Sequence, residues 1–340
     1  MVNNVFIIIF IIITLMVLCD SYDKLILGYL DKNSRQSFSQ IGKEIDLPKS
    51  VVSYRVKKLM KKGIIKKFYT VIDTYKLGYS SFRVYIAYQY TTPEIEKEIC
   101  EHFKKSSLNW WTVSTKGRFD LAIIMWANDI KEFYIFWEDT LKKYRDYFRE
   151  QEFSIYLQSH EFLHEYLNTP PMKENHIRKT FSLSGAPMVR SFDHLDLLIL
   201  KEISNNARIS FQELSKNLRQ SSSKIKQRFN QLIADEIILG FRVDIDIEKI
   251  GYKCFKADIL LKDYTERNEI IEYVVSNPHL IRIDKSIGIS DLELEFHVAN
   301  DEEFQEIMSD LNNNFKYSIR NFKYLSTSEM HNFNLFPLNN

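Results

Sequence analysis

Apolar residues recur every three to four positions from Asp23 to Leu59, then give way to runs of β-branched and aromatic residues. The first stretch predicts three helices. Asp23 to Leu30 places Leu25, Ile26, Tyr29 and Leu30 on one face. Ser37 caps a second helix, with Gln40 at the capping-box position and Ile41 and Ile45 turned inward. After a turn at Asp46-Leu47, Pro48 opens a third helix that runs to about Lys62 and stops at Gly63. Ile64 to Asp73 reads as a strand, the candidate wing. From Phe82 to about Glu165 the pattern changes to strands at 82–90, 110–115, 119–126 and 153–160, with helices at 93–105 and 130–144. That order is βαββαβ, the ferredoxin-like arrangement.

The whole unit then occurs again. At an offset of 173 positions about sixty residues align without a gap. Asp20 falls on Asp193, Leu25-Ile26-Leu27 on Leu198-Ile199-Leu200, and Asn33-Ser34-Arg35 on Asn206-Ala207-Arg208. Arg55 falls on Arg228 and Gly78-Tyr79 on Gly251-Tyr252. Self-similarity at a fixed offset signals duplication. The expected organisation is an α+β chain holding two tandem copies of a winged helix-turn-helix and a βαββαβ domain. The helix-turn-helix units occupy 20–80 and 193–253. The βαββαβ domains occupy 81–166 and 254–333. A linker at 167–192 carries Pro170-Pro171 and Gly185-Ala186-Pro187.

Residues 1–19 stand apart, uncharged and almost purely aliphatic from Val5 to Leu18. Two readings stand: a membrane anchor, or an over-extended start with Met16 as the first residue. The repeat leans to the second, because this segment has no counterpart before Asp193. Cys19, Cys100 and Cys254 are odd in number and far apart, so they build neither a disulfide framework nor a Cys-x-x-Cys zinc site. They read as reduced thiols of a cytoplasmic protein.

Net charge is only +1, so affinity for nucleic acid requires local clustering. The third helix supplies it. Lys49, Arg55, Lys57, Lys58, Lys61 and Lys62 lie on a helix without an acidic residue, and Val51, Val52, Val56 and Leu59 hold its other face. Its span of roughly 22 Å suits a major groove. Lys57, Lys58, Lys61, Lys62, Lys66 and Lys67 form the expected phosphate set. Lys49 adds charge at the helix start, and Ser50, Ser53 and Tyr54 are candidates for base edges. Arg55 has two readings, DNA contact or a pair with an acidic residue of the first helix. The second copy keeps Lys224, Lys226 and Arg228, then meets Asp235-Glu236. Residues 20–80 hold thirteen basic and six acidic residues, against ten and nine over 193–253. The first copy is therefore expected to dominate affinity for double-stranded DNA.

The pattern Asp20-x-x-Asp23-x-x-Ile26-Leu27-x-x-Leu30-x-x-Asn33-Ser34-Arg35-x-Ser37, followed by Ile41, Arg55, Leu59 and Gly63-Ile64-Ile65, resembles the Lrp/AsnC family of transcriptional regulators. The resemblance covers nearly everything from Asp20 to about Phe333, twice over. Two positions depart from it: Pro48 replaces a Ser cap that Ser221 keeps, and Glu236 replaces the terminating Gly. The resemblance implies sequence-specific DNA binding, and pairing of the βαββαβ domains as an intramolecular pseudo-dimer or homo-oligomer. It also implies a small-molecule effector such as an amino acid, bound near the Gly-x-x-Asp turns. Those turns contain Gly117, Arg118 and Asp120, and in the second copy Gly288 and Asp291.

Two enzymatic readings compete. His160-Glu161-Phe162-Leu163-His164 matches a zinc-protease motif, but it ends a strand-like segment, Pro170-Pro171 follows, and no third ligand is evident. Sirohaem decarboxylases resemble the same two-domain unit. Their His-Arg pair is missing, since Thr74-Tyr75 and Glu248 stand before the two Gly-Tyr steps. Trp110, Trp111, Trp126 and Trp137 read as core. The expectation is a regulator without catalytic residues, metal or cofactor.

Overall fold

A computed structural model describes residues 19–167, 178–185 and 190–337. Within it the first copy opens with α1 (Ser21–Lys32), α2 (Phe38–Glu44) and α3 (Lys49–Lys61), then β1 (Ile65–Ile72). Local chemistry sets these boundaries. Asp20 and Asp23 form a capping box on α1, and Ser37 and Gln40 form one on α2. Pro48 is the N-cap of α3, one place earlier than expected, and offers no side-chain bond. Gly63 ends the helix at φ +66°, where a Cβ is costly. The counterparts are α6 (His194–Ser204), α7 (Phe211–Leu218), α8 (Ser222–Ala234) and β7 (Ile238–Ile245). Glu236 occupies the left-handed position of Gly63 at φ +55°.

The βαββαβ units comprise β2 (Ser80–Tyr88), α4 (Pro93–Lys105), β3 (Asn109–Gly117), β4 (Leu121–Ala127), α5 (Ile130–Tyr144) and β5 (Phe148–Phe162). The second contains β8 (Lys253–Leu261), α9 (Arg267–Val275), β9 (Leu280–Ile287), β10 (Leu292–Val298), α10 (Asp301–Asn314) and β11 (Ile319–Phe333). They form one sheet, not two. The order β2-β4-β3-β11-β8-β10-β9-β5 closes because β5 also pairs with β2. The long last strand of each copy makes the junction. β5 pairs with β2 through Tyr156, then with β9 from Ile155. β11 pairs with β8 through Ser326, then with β3 from Leu325. Helices α4 and α5 cover one outer face and α9 and α10 the other, each over an apolar core.

The structure adds two features to the expected organisation. The wing strand β1 does not fold back in its own copy. It pairs antiparallel with β7, so the two wings form one ribbon between the copies. The expected linker contains β6 (Thr180–Ser184), which pairs with the end of β5 after β2 has run out. Residues 1–18, 168–177 and 186–189 lie outside the described residues, and so does the proposed leader. Among the described residues no helix is long and apolar enough to cross a membrane.

The Asn-x-Arg motif shared by both copies has a structural job. Arg35 donates to the carbonyls of Ala207 and Ile209, and Arg208 donates to those of Ser34 and Gln36. Arg35 stacks over Phe211, Phe229 and Phe241, and Arg208 over Phe38 and Phe68. This reciprocal clasp fixes one helix-turn-helix against the other.

Candidate DNA interface and inter-copy cavity

Helix α3 has two chemically separate sides. Val52, Val56 and Leu59 are buried against α1 and α2. Ser50, Ser53, Tyr54, Lys57, Lys58 and Lys61 recur at three- and four-residue steps and form the opposite stripe. Ser50, Tyr54, Lys57 and Lys61 are exposed, with Tyr54 at 67%. A tyrosine and three lysines on one outward stripe create a surface that attracts an anionic backbone and presents one flat polar ring.

Arg55 lies on neither side. Its guanidinium donates to Asp20 at 2.7 Å and to Asp23 at 2.8 Å, tying α3 to the start of α1. Arg228 repeats the arrangement with Asp193 and Asp196. In α8 the stripe equivalent to that of α3 reads Ser223, Lys226, Gln227, Asn230, Gln231 and Ala234. Amides replace most of the charge there. Lys224 lies to one side and donates to Gln220. Ser221 caps α8 by accepting from the Lys224 amide.

Behind the ribbon β1–β7 lies a cavity of about 370 Å³ between the two halves of the closed sheet. The first copy contributes Tyr69, Trp110, Trp111, Val113 and Ile124, and the second Cys254, Lys256, Arg282, Glu295 and His297. Charge at the back of the cavity is paired. Arg242 grips Asp31 through two bonds of 2.8 and 2.9 Å and donates to the Phe162 carbonyl. Burial alone would raise the Asp31 carboxyl, yet Arg242 and His164 hold it below its ordinary value. Burial pushes His164 down to about 4 and His297 well below the usual histidine range. Burial also raises the carboxyls of Glu295 and Glu293. The Glu293 carboxylate accepts from Arg83 at 2.7 Å and from Tyr156 at 2.9 Å.

A winged helix-turn-helix DNA-binding family model matches residues 20–66 and again 192–238. An uncharacterized HTH-type transcriptional regulator of Pyrococcus furiosus is 35% identical over 126 residues, which is 36% of this chain and 82% of that protein. LrpA, an HTH-type transcriptional regulator of Pyrococcus horikoshii, is 34% identical over 110 residues, 32% of this chain and 77% of its own length. The chain belongs to the Lrp/AsnC family. This Lrp/AsnC protein is a DNA-binding transcriptional regulator of that type. Its full-length architecture is similar to the crystal structure of the siroheme decarboxylase NirDL, with a TM-score of 0.61, 12% identity and 94% of both chains covered. At that identity the likeness concerns fold alone.

In this Lrp/AsnC chain several expected site residues are placed elsewhere. Lys67 leaves the phosphate set because its ammonium is half-buried and donates to Asn205 at 2.8 Å and the Phe333 carbonyl at 2.7 Å. Lys66 sits on the inter-copy ribbon, 3.8 Å from Asp246. Arg55 and Arg228 leave the DNA set for the carboxylates of the first helix in each copy. The Gly-x-x-Asp turns do not line the cavity. Asp120 accepts from the Tyr88 amide and Asp291 from the Leu261 amide, both at 2.7 Å, so each carboxylate caps a strand end. Arg118 pairs with Glu150 and Glu152. Gly117 packs against β11, and Gly288 against the β5 backbone, where a Cβ would meet the Phe153 carbonyl oxygen at 2.3 Å. His160 and His164 share no helix face. His160 is on β5 beside Ser182, and His164 lies past the strand end against Asp31. Gln227 and Asn230 are exposed amides on the equivalent stripe of α8, and nothing but helical phase separates them in the sequence from other polar residues.

Proposed function

We propose that this regulator holds DNA chiefly through its first helix-turn-helix. Lys57, Lys58 and Lys61 neutralise phosphates, and Ser50, Ser53 and Tyr54 face base edges. The observation that carries this reading is the outward stripe of α3, polar and basic along its length and backed by a fully apolar side. The second helix adds Lys226, and its amides Gln227 and Asn230 suit adenine edges. Affinity therefore comes mainly from one copy, and sequence reading from both. The tandem chain acts as a pseudo-dimer within one molecule and works in the cytoplasm, where the DNA is. A small-molecule effector belongs in the inter-copy cavity and not at the Gly-x-x-Asp turns, whose carboxylates already cap backbone amides.

Genomic selection of bound fragments tests the reading, with Lys57→Ala/Lys58→Ala in parallel. The wild type enriches a defined motif, with affinity falling steeply as salt rises. The double variant recovers little of it. A wild type that enriches no motif and binds DNA independently of salt ends the proposal.

The fold likeness to a siroheme decarboxylase, together with the cavity, favours a second reading as a tetrapyrrole enzyme. The residues oppose it. Thr74 and Tyr75 are buried beside β2, Glu248 lines the cavity, and acidic residues outnumber basic ones around it. A macrocycle fringed with carboxylates needs the reverse balance. A Soret-type absorbance change on adding sirohaem would restore that reading.

A further inference from the structure

Three side chains of the second copy meet in the cavity wall. Cys254 is on β8, and Glu295 and His297 are on β10. The strand register sets Cys254 directly opposite His297 and Lys256 opposite Glu295. Cys254 and Glu295 are therefore diagonal neighbours on one sheet face. The cysteine sulfur, a carboxylate oxygen and an imidazole nitrogen all lie within 4.8 Å of one another. Ligands about 2.0–2.3 Å from a tetrahedral ion stand roughly 3.5 Å apart. Side-chain rotation of about an ångström closes that difference. We propose that Cys254, Glu295 and His297 bind one divalent transition-metal ion of the zinc kind per chain, with its fourth coordination position open to the cavity.

The surroundings are built for such an ion. His297 Nδ1 lies 3.0 Å from the Tyr166 hydroxyl, which leaves Nε2 facing Glu295 at 3.8 Å. An outer partner on the far ring nitrogen is the usual way to orient a ligating histidine. The cavity is short of positive charge. Glu161, Asp244, Asp246, Glu248, Glu295 and Glu329 line it against Lys66, Arg242, Lys256 and Arg282. Lys256 stands 3.9 Å from Glu295, beyond hydrogen-bond reach. His164, only 10% exposed, lies with its ring 5.2 Å from that of His297. Its Nδ1 makes no hydrogen bond among the described residues. Thiolate, imidazole and carboxylate together suit zinc and its cobalt substitute. The first copy holds Ser81, Ile124 and Trp126 at the matching register positions, so the stoichiometry is one.

The test is a titration of the purified full-length chain with Co²⁺ and then Zn²⁺. Co²⁺ saturates at one equivalent with a thiolate-to-cobalt charge-transfer band, and Zn²⁺ displaces it. Cys254→Ser and His297→Gln abolish the band, whereas Cys19→Ser leaves it unchanged. Tyr166→Phe keeps the band and weakens affinity about 10- to 100-fold. A Tyr166 that served packing alone would leave affinity unchanged. Circular dichroism follows folding. Should Cys254→Ser not fold, the wild type and His297→Gln still decide. A wild type without the thiolate band overturns the proposal, as does full Co²⁺ affinity in either ligand variant. No readout involves DNA, so this inference and the assignment of DNA contacts fail independently.

Discussion

The two sheet halves that enclose the cavity share a strand order and have nearly opposite chemistry. Across β2 and β4 the inward pairs are Ser81–Trp126, Arg83–Ile124 and Tyr85–Ala122. Across β8 and β10 they are Cys254–His297, Lys256–Glu295 and Asp258–Glu293. The third strands continue the contrast, with Trp111 and Val113 against Arg282 and Asp284. The recognition helices differ as well, lysine-rich in the first copy and amide-rich in the second. Duplication within one chain frees the halves from the constraint of an isologous dimer, in which both must carry the same surface. One half is specialised for packing and carries the lysine-rich helix, the other supplies a polar cavity wall.

The largest break in this comparison is Arg83. It is the cation of the first copy that sits inside the acidic face of the second, 2.8 Å from Asp258 and 2.7 Å from Glu293. Arg83→Met leaves two buried carboxylates without it, and losing one partner of a buried pair costs about 3–5 kcal/mol. The midpoint of urea unfolding should fall accordingly. A loss below about 1 kcal/mol would mean that the charged face holds itself together.

The helix comparison is sharpened at the DNA. Changing Lys57, Lys58 and Lys61 together to Ala should reduce affinity about tenfold per phosphate contact near 0.1 M salt, about a thousandfold in all. The slope of log K against log salt should become shallower by about 2.7. The double change of Lys224 and Lys226 should cost about tenfold or less. Equal losses from the two helices, measured by fluorescence anisotropy, would erase the proposed division of labour.

Part of this asymmetry is legible in the sequence and part is not. The three-helix pattern, the Ser37–Gln40 capping box and the basic stripe of α3 depend on neighbours within four residues, so local pattern reveals them. The charged cavity wall is hidden by its own regularity. Leu292 to Val298 alternates apolar and polar residues and reads as a strand with one wet face, yet both faces are covered because the sheet closes on itself. Likewise Lys66 and Lys67 look like wing charges until β1 is seen to pair with β7. Cys254 and His297 are 43 residues apart and meet only through strand register. Arg55 was readable in outline, since its repetition as Arg228 in the less basic copy pointed to the fold.

A pH experiment separates the two ends of the closing strands. His164 lies two residues past β5, and Leu335 lies two residues past β11. Burial holds His164 at about 4, below its ordinary 6.5. A depressed histidine means that the unfolded chain takes up the proton first. Stability from this group is complete above about pH 6.5 and is lost as pH falls toward 4, by about 3 kcal/mol in all. His164→Leu, which copies the second half, should flatten this acid limb in urea midpoints measured at pH 7 and pH 4.5. An unchanged limb would assign the acid sensitivity to other groups.

The smallest test concerns the ends of the recognition helices. Gly63 and Glu236 share the left-handed backbone, but only glycine adopts it without steric cost. Glu236 is largely exposed, and its carboxylate pairs with Lys76 at 3.0 Å. The same ammonium also donates to the Asp235 and Glu236 carbonyls, bonds that survive loss of the side chain. Glu236→Gly should therefore stabilise the chain by up to about 1 kcal/mol, since relief of the left-handed strain of roughly 1–2 kcal/mol exceeds the loss of one ion pair whose carboxylate is exposed and whose buried ammonium keeps its two carbonyl partners. The mirror change, Gly63→Ala, should destabilise it by about 1 kcal/mol, with the Lys249 ammonium moving aside from the new methyl group. Opposite signs in thermal unfolding would show that the second copy carries local strain that the first avoids. Matching signs would mean that the surrounding helix ends, and not the backbone conformation, set the energy.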